Sequence, residues 1–262
     1  MSNFRIGCQV LAWGGNRIIN ELGTVLSQAK EAGYEGVEIG TRFLLNVSSS
    51  ELKSILKEKD LILSGLHTGI GDLDRLSEEE IITNLVKALE FAREVGTQYL
   101  IVSGWRKDGK TKEDFLKESR VLREVGNKAK SYGMHIAYHN HDWEIRDDYK
   151  ELRELLGLLE ADIFSLAPDI GWVIKAGGDV FEFLESFISR IGYLHLRDLK
   201  DNDFVEFGRG KVDFRKFFDI VKQKGWSGWI VLEIVGPQDS PFPDPFKAVK
   251  EGREYLRKIL NI

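Results

Sequence analysis

The stretch "IAYHNHDWE" (136–144) runs three apolar or aromatic residues, Ile136, Ala137 and Tyr138, into His139, Asn140, His141 and Asp142. An apolar core does not tolerate such polar groups unpaired. Comparable endings recur further along: Asp169 in "APDIGW", His195 and Arg197 in "YLHLRDLK", and Glu233 in "GWIVLEIVGP". Side chains alternate along a strand, so His139 and His141 share one face, as do His195 and Arg197. With odd positions inward, His139, Asp169, His195 and Glu233 all point to one axis. Two imidazoles and two carboxylates from four adjacent strands form a ligand set for one divalent cation. A mixed nitrogen and oxygen sphere suits Mn, Co, Zn, Fe or Mg, and the residue types do not choose among them. Any one of these residues is as readily a capping or hydrogen-bonded structural group. The four together, on consistent parity, point to chemistry.

The elements that must position them follow a rhythm of helix, glycine and short apolar strand. "SQAKEAGYEGVEIG", "FAREVGTQYLIVSG", "NKAKSYGMHIAYHN" and "VKQKGWSGWIVLEI" are near-parallel copies. In each, Gly33, Gly96, Gly133 or Gly225 stands where a helix end needs a left-handed residue. Ile81, Leu85, Ala88, Leu89 and Ala92 recur at helical spacing, as do Phe214, Phe217, Phe218 and Val221. Ser77 with Glu80 has capping-box spacing, and Asp179 and Asp213 mark further helix starts. Eight strands are expected near 5–12, 36–40, 61–67, 99–104, 135–141, 164–169, 191–197 and 229–235, each followed by a helix. This predicts an α/β fold, a (β/α)₈ barrel, as one domain over 1–262. A doubly wound open sheet is the alternative, but no G-x-G-x-x-G follows the first strand.

The chain has 262 residues, 42% of them hydrophobic, with a formal net charge of −5, so nothing in the balance attracts nucleic acid. One cysteine, Cys8, cannot form an internal disulfide and suits a reducing cytoplasm. The N-terminal "MSNFRIGCQV" lacks an apolar export region, and no run is long enough to span a membrane. A cytoplasmic protein with a small-molecule ligand is the expectation, and a homo-oligomer is compatible with it.

Barrel chemistry collects at the C-terminal strand ends, where Glu38 and His67 also fall. Trp13, Trp105, Trp143 and Trp172 follow or end strands on that side, whereas Trp226 and Trp229 lie at the bottom. Aromatic walls at a mouth pack against sugar C–H faces and exclude water; the alternative is that they plug the barrel top. His135, at the start of the fifth strand, lies toward the other face of the barrel and is read as structural. "EFGRGKVDF" (206–214), with Glu206, Arg209 and Lys211, reads either as a phosphate site or as a tight turn into Asp213. Four of the five prolines crowd into "GPQDSPFPDPF" (236–246), a stiff loop suited to a lid or a subunit contact.

Taken in order, "GYEGVEIG", "IAYHNHDWE", "APDIGWVIKAGGD", "YLHLRDLK", "EFGRGKVDF" and "GWIVLEIVGP" resemble the xylose isomerase-like TIM barrels, the sugar phosphate isomerase/epimerase family, over most of the chain. The inosose dehydratase and isomerase branch is the most similar: it too carries an "AYH" strand, D-x-G, H-x-K/R-D and "GWIVxE". The resemblance implies a divalent metal on His139, Asp169, His195 and Glu233. It also implies removal of a proton beside the carbonyl of a keto sugar or keto-cyclitol, the metal acting as a Lewis acid toward the enediolate. Glu233 or His141 would then be the general base, and Arg197 would fix a substrate oxygen or support a ligand. Trp13, Glu38, His67, Trp105, Trp172 and Glu206 would contact substrate. Many members, notably ketose 3-epimerases, carry Glu where this chain has His139, and a metal-bound imidazole cannot serve as the second carboxylate base of a symmetric epimerase. The resemblance implies an isomerase or epimerase first and an inosose-type dehydratase second. A phosphodiesterase like the abasic-site endonucleases of this fold would need more ligands and a basic face. A non-catalytic sugar-binding barrel would lack the metal.

Overall fold

The computed structural model describes residues 4–261. Eight parallel strands form the barrel: β1 (Phe4–Gln9), β2 (Gly36–Gly40), β3 (Ile62–Gly69), β4 (Tyr99–Ser103), β5 (His135–His139), β6 (Ser165–Leu166), β7 (Tyr193–Leu196) and β10 (Gly228–Leu232). Their order is β6-β5-β4-β3-β2-β1-β10-β7. The circle closes between β6 and β7 through only two isolated parallel bridges, Leu166 to Ile191 and Asp169 to His195. Among the described residues nine helices surround it: α1 (Gly15–Glu31), α2 (Ser49–Glu58), α3 (Glu78–Val95), α4 (Lys112–Ser131), α5 (Arg146–Leu158), α6 (Ile170–Lys175), α7 (Val180–Phe187), α8 (Phe214–Gln223) and α9 (Pro245–Leu260). Among the described residues no helix is long and apolar enough to cross a membrane.

The repeat is built as its punctuation indicates. Ser77 and Glu80 form a reciprocal capping box on α3, and Asp179 and Asp213 cap α7 and α8. Gly33, Gly96, Gly133 and Gly225 all have positive φ, the backbone region that a side chain disfavours. The helices bury one face against the outside of the sheet. Inside, Ile101, Ala137, Ala167, Tyr193, Trp229 and Val231 fill the barrel with odd-numbered residues, the parity expected. Glycine on the facing staves makes room for the large ones: a Cβ on Gly36 would lie 2.7 Å from the Trp229 ring.

Several strands are shorter than their apolar runs. β1 stops at Gln9 rather than near 12 because the Gln9 side chain accepts the Leu11 N–H, turning Val10–Trp13 into a 3₁₀ helix. β6 has two residues: Pro168 lacks an N–H, and Asp169 turns the chain by capping α6. β7 is not followed directly by a helix. An antiparallel hairpin, β8 (Asp198–Lys200) and β9 (Asp203–Val205), intervenes. In segment 206–214 the amides of Gly208, Gly210 and Val212, which a phosphate would need, are already taken. The Asp198 carboxylate accepts the N–H groups of Leu199, Gly208, Gly210 and Val212, while Arg209 pairs with Glu251 and Lys211 with Asp201. It is a stapled turn.

Candidate metal centre and its cavity

Each barrel strand, or the segment within three residues of its end, places one polar side chain in a ring at the C-terminal rim. Its members are Gln9, Glu38, His67, Ser103, His139, Asp169, His195 and Glu233. The apolar interior ends below them, so each must find a partner or a ligand. Above them opens a cavity of about 280 Å³, lined by His67, His139, His141, Arg197, Glu233 and Asp239 among others.

Half the ring is satisfied. Glu38, fully buried, accepts from His195 Nε2 at 2.6 Å and from His67 Nδ1 at 2.8 Å, and Ser103 Oγ lies 2.8 Å from His67 Nε2. Burial opposes the ionised form of Glu38, but the two imidazoles outweigh it and hold the carboxyl down at about 2. As an ionised acceptor, Glu38 fixes the proton of His195 on Nε2 and turns its Nδ1 toward Glu233. Glu38 therefore orients imidazoles rather than a substrate hydroxyl. Glu38→Gln puts an amide donor against one of those N–H groups and is expected to lower divalent-cation affinity about 10–100-fold. Competition with a chromophoric chelator measures this, and unchanged affinity contradicts the assignment.

The other half is unsatisfied. His139, His195 and Glu233, all buried, offer ligand atoms within 4.8 Å of one another. His139 Nδ1, His195 Nδ1, Glu233 Oε2 and Asp169 Oδ2 are buried without a hydrogen-bond partner. The imidazoles crowd, with the His139 ring 4.7 Å from that of His195 and 4.9 Å from that of His67. Burial drives His139 far below its usual value, so it stands neutral with one ring-nitrogen lone pair to offer. Burial also disfavours imidazolium at His195, yet Glu38 and Glu233 overcome this and raise it to about 10. A cation among these donors would take the place of that proton. Nitrogen and carboxylate-oxygen ligand atoms converging here, with the His195 proton displaced, fit a divalent metal such as Mn, Co, Zn or Mg.

Asp169 stands slightly apart from the trio. Its Oδ1 caps α6, accepting from Gly171 at 2.8 Å and Trp172 at 3.3 Å, and its Oδ2 lies 2.9 Å from Arg197 Nε without hydrogen-bond alignment. Arg197, also buried, contacts Glu233 and reaches Asp239 Oδ1 at 3.0 Å. Its charge is shared among three carboxylates, so it holds the donor set in place at the edge of the cavity. Burial pushes Glu233 up, but Arg197 and His195 dominate and hold it below the usual carboxylate range.

His141 lines the cavity. Its ring stacks on Trp143 at 4.4 Å with a 7° interplanar angle and lies 5.7 Å from Trp172, and burial lowers it to about 4. Trp172 sits over Arg197, 5.5 Å from the guanidinium. No tryptophan lines the cavity itself among the described residues: Trp143 and Trp172 back the lining residues His141 and Arg197. Trp13 is buried in the core, donating to Gln28 Oε1 at 2.6 Å, and Trp105 packs in the same core beside Lys107 and Lys110. Glu206 lies outside the cavity, its carbonyl accepting from Arg209 within the stapled turn. His135 is exposed at the start of β5, its ring 5.5 Å from that of Tyr99. Gln9 and Ser103 were not anticipated, although alternation along the first and fourth strands points to both. Asp239 carried no signal beyond its proline-rich loop, whose 3₁₀ turn Pro237–Asp239 delivers it to Arg197.

A (β/α)₈ barrel whose upper rim gathers histidine and carboxylate lone pairs beside a small polar cavity has the architecture of a barrel enzyme. The chain belongs to the xylose isomerase-like TIM barrel family, whose sequence model matches residues 26–259. Among its relatives, the inosose dehydratase of Bacillus thuringiensis (strain Al Hakam) is 24% identical over 296 aligned residues, covering 98% of this chain and 97% of the relative. That of Clostridium perfringens (strain 13 / Type A) is 23% identical over 300, covering 100% and 99%. Solved structures share the fold: an L-ribulose 3-epimerase superposes with a TM-score of 0.83 at 17% identity, covering 100% of this chain and 95% of that one. The IOLI protein with a binding zinc atom superposes with a TM-score of 0.77 at 18% identity, covering 98% of each chain.

Proposed function

We propose that this chain is a divalent-metal-dependent enzyme that removes the proton beside the carbonyl of a keto sugar or keto-cyclitol and completes the reaction as a dehydratase. The observation that carries this is the convergence of buried ligand atoms from His139, His195 and Glu233 beside the cavity that His139 and Glu233 line. His139, His195 and Glu233, with Asp169 as fourth donor, would hold the cation, which supplies Lewis acidity to the carbonyl oxygen. Arg197 keeps Glu233 ionised and holds Asp169 in place. Glu38 aims His195. His141, neutral and braced on Trp143, accepts the proton from carbon, with Glu233 as the alternative acceptor. Trp172 and the aromatic side of His141 narrow the access of water.

Loss of a β-hydroxyl that takes up the transferred proton leaves as water and gives dehydration. Return of the proton to the neighbouring carbon gives isomerisation, and return to the opposite face gives epimerisation. Epimerisation by a carboxylate pair needs a second base across the substrate, and the chain places an imidazole, His139, where that carboxylate would stand. The inosose dehydratase names of relatives spanning nearly the whole chain favour the same outcome. Incubating the metal-loaded protein in D₂O with a panel of keto sugars and inososes tests the reading. Deuterium should enter the carbon beside the carbonyl and an unsaturated product should accumulate. Exchange yielding only a saturated isomer would replace the dehydratase by an isomerase, and no exchange with any metal would remove the enzymatic reading.

A further inference from the structure

Beneath the loop that carries His141 lies a second group of buried ionisable side chains with no part in the chemistry above. Lys110, its side chain 1% exposed, lies 2.9 Å from both Glu118 of α4 and Glu151 of α5. Glu118 Oε1 accepts the Trp105 N–H at 3.2 Å and lies 3.2 Å from the hydroxyl of Tyr138 on β5. The same hydroxyl lies 3.2 Å from Glu144 Oε1, and Glu144 Oε2 accepts the backbone N–H of His141 at 2.8 Å. Gly104 permits the approach, since a Cβ there would stand 1.8 Å from the Tyr138 oxygen.

The phenol has one proton and two carboxyl oxygens at equal distance, so it can donate to only one of them. Charge adds to the constraint: one ammonium faces three carboxyl groups, and its two contacts are Glu118 and Glu151. Among the described residues Glu144 pairs with no cation, and a buried carboxylate without one is costly. The proton count closes if Glu144 is an acid that donates to Tyr138 while Tyr138 donates to Glu118, a chain of aligned donors ending at Lys110.

We infer that Glu144 is held as a neutral carboxylic acid and, in that form, is the positioning residue that sets the 140–145 loop and the His141–Trp143 stack for proton transfer. The assignment rests on the role given to His141 above. Burial pushes the Glu144 carboxyl up to about 8, against the pull of the His141 amide and Lys110, with Glu118 adding to the rise. Burial likewise raises Tyr138, so the phenol keeps its proton. Ionising Glu144 sets a second negative charge beside Glu118, takes away the donor to Tyr138 and releases the loop.

Infrared difference spectra taken on either side of about pH 8 test the protonation state. The wild-type chain should lose a carboxylic-acid C=O band on the alkaline side, and Glu144→Gln, whose amide reproduces both hydrogen bonds of the neutral acid, should lack the change. Tryptophan fluorescence should follow the same midpoint in the wild type and stay flat in Glu144→Gln. Exchange at the substrate carbon should fall about tenfold one pH unit above the midpoint in the wild type, a limb missing from Glu144→Gln. A band that Glu144→Gln leaves intact, or no band at all, overturns the protonation. A band without the fluorescence and exchange limbs overturns the positioning. Should Glu144→Gln fail to fold, Glu118→Gln serves: it must lower the wild-type midpoint, and an unmoved midpoint overturns the proposal. Infrared and fluorescence report even if no substrate exchanges, so loss of the enzymatic reading is distinguishable from loss of this one.

Discussion

His195→Ala is expected to strip the chain of bound divalent cation and to reduce substrate-carbon exchange to background. Three contacts are lost with the ring. Its Nδ1 is one of the three convergent donors, its Nε2 bonds Glu38 at 2.6 Å, and its charge helps hold Glu233 ionised. Removing an outer partner of a metal ligand costs about 10–100-fold in affinity, so loss of the ligand itself should exceed about 100-fold. Metal content after dialysis against a weak chelator reads the first effect and deuterium incorporation the second. His135→Ala, at the exposed start of β5, is the matched control and should change neither. A His195→Ala protein that keeps both its cation and its exchange removes the ligand assignment.

Arg197→Leu should give the largest loss of stability, about 3–5 kcal/mol in the metal-free protein, because breaking a buried ion pair leaves an uncompensated charge. Arg197 contacts both Asp169 and Glu233, His195 reaches only Glu233 among the two, and both carboxylates are buried. The direction with pH follows from Glu233. Its folded value is depressed, so the stability it contributes is present above its unfolded value of about 4.3 and is lost as pH falls through the lower folded value. The deficit of Arg197→Leu should therefore be complete at neutral pH and shrink as acid neutralises the carboxylates. Added manganese or zinc, serving the same carboxylates, should restore more stability to the variant than to the wild type. Urea midpoints at several pH values, with and without metal, decide it. A deficit indifferent to both pH and metal would mean that Arg197 acts by packing alone.

The rim was legible because alternation is rigid. Once odd positions faced inward on the fifth to eighth strands, His139, Asp169, His195 and Glu233 had to converge, and the structure gathers three of them with Asp169 at the edge. The same rule, applied to the first and fourth strands, would have brought Gln9 and Ser103 into the ring. Helix punctuation was legible for a local reason, since Ser77, Asp179 and Asp213 each cap within three residues. Loop side chains were not. Beyond a strand end no period constrains direction, so Trp13 and Trp105, placed on the right side, turn into the core, and Glu206 turns away. Glu38 lay at the expected strand end, but its partners His67 and His195 are 29 and 157 residues distant, and no local pattern announces a bridge of that span. Strand ends were overestimated where a side chain intercepts the ladder, as Gln9 does.

The circle of staves is joined by ladders except between the sixth and seventh, where two lone bridges take their place, and one of these joins Asp169 to His195. Cooperative opening begins where backbone pairing is sparse. An ion gripped from both sides of that seam would act as a clasp on the cylinder, so occupancy and mechanical closure of the whole scaffold become one equilibrium.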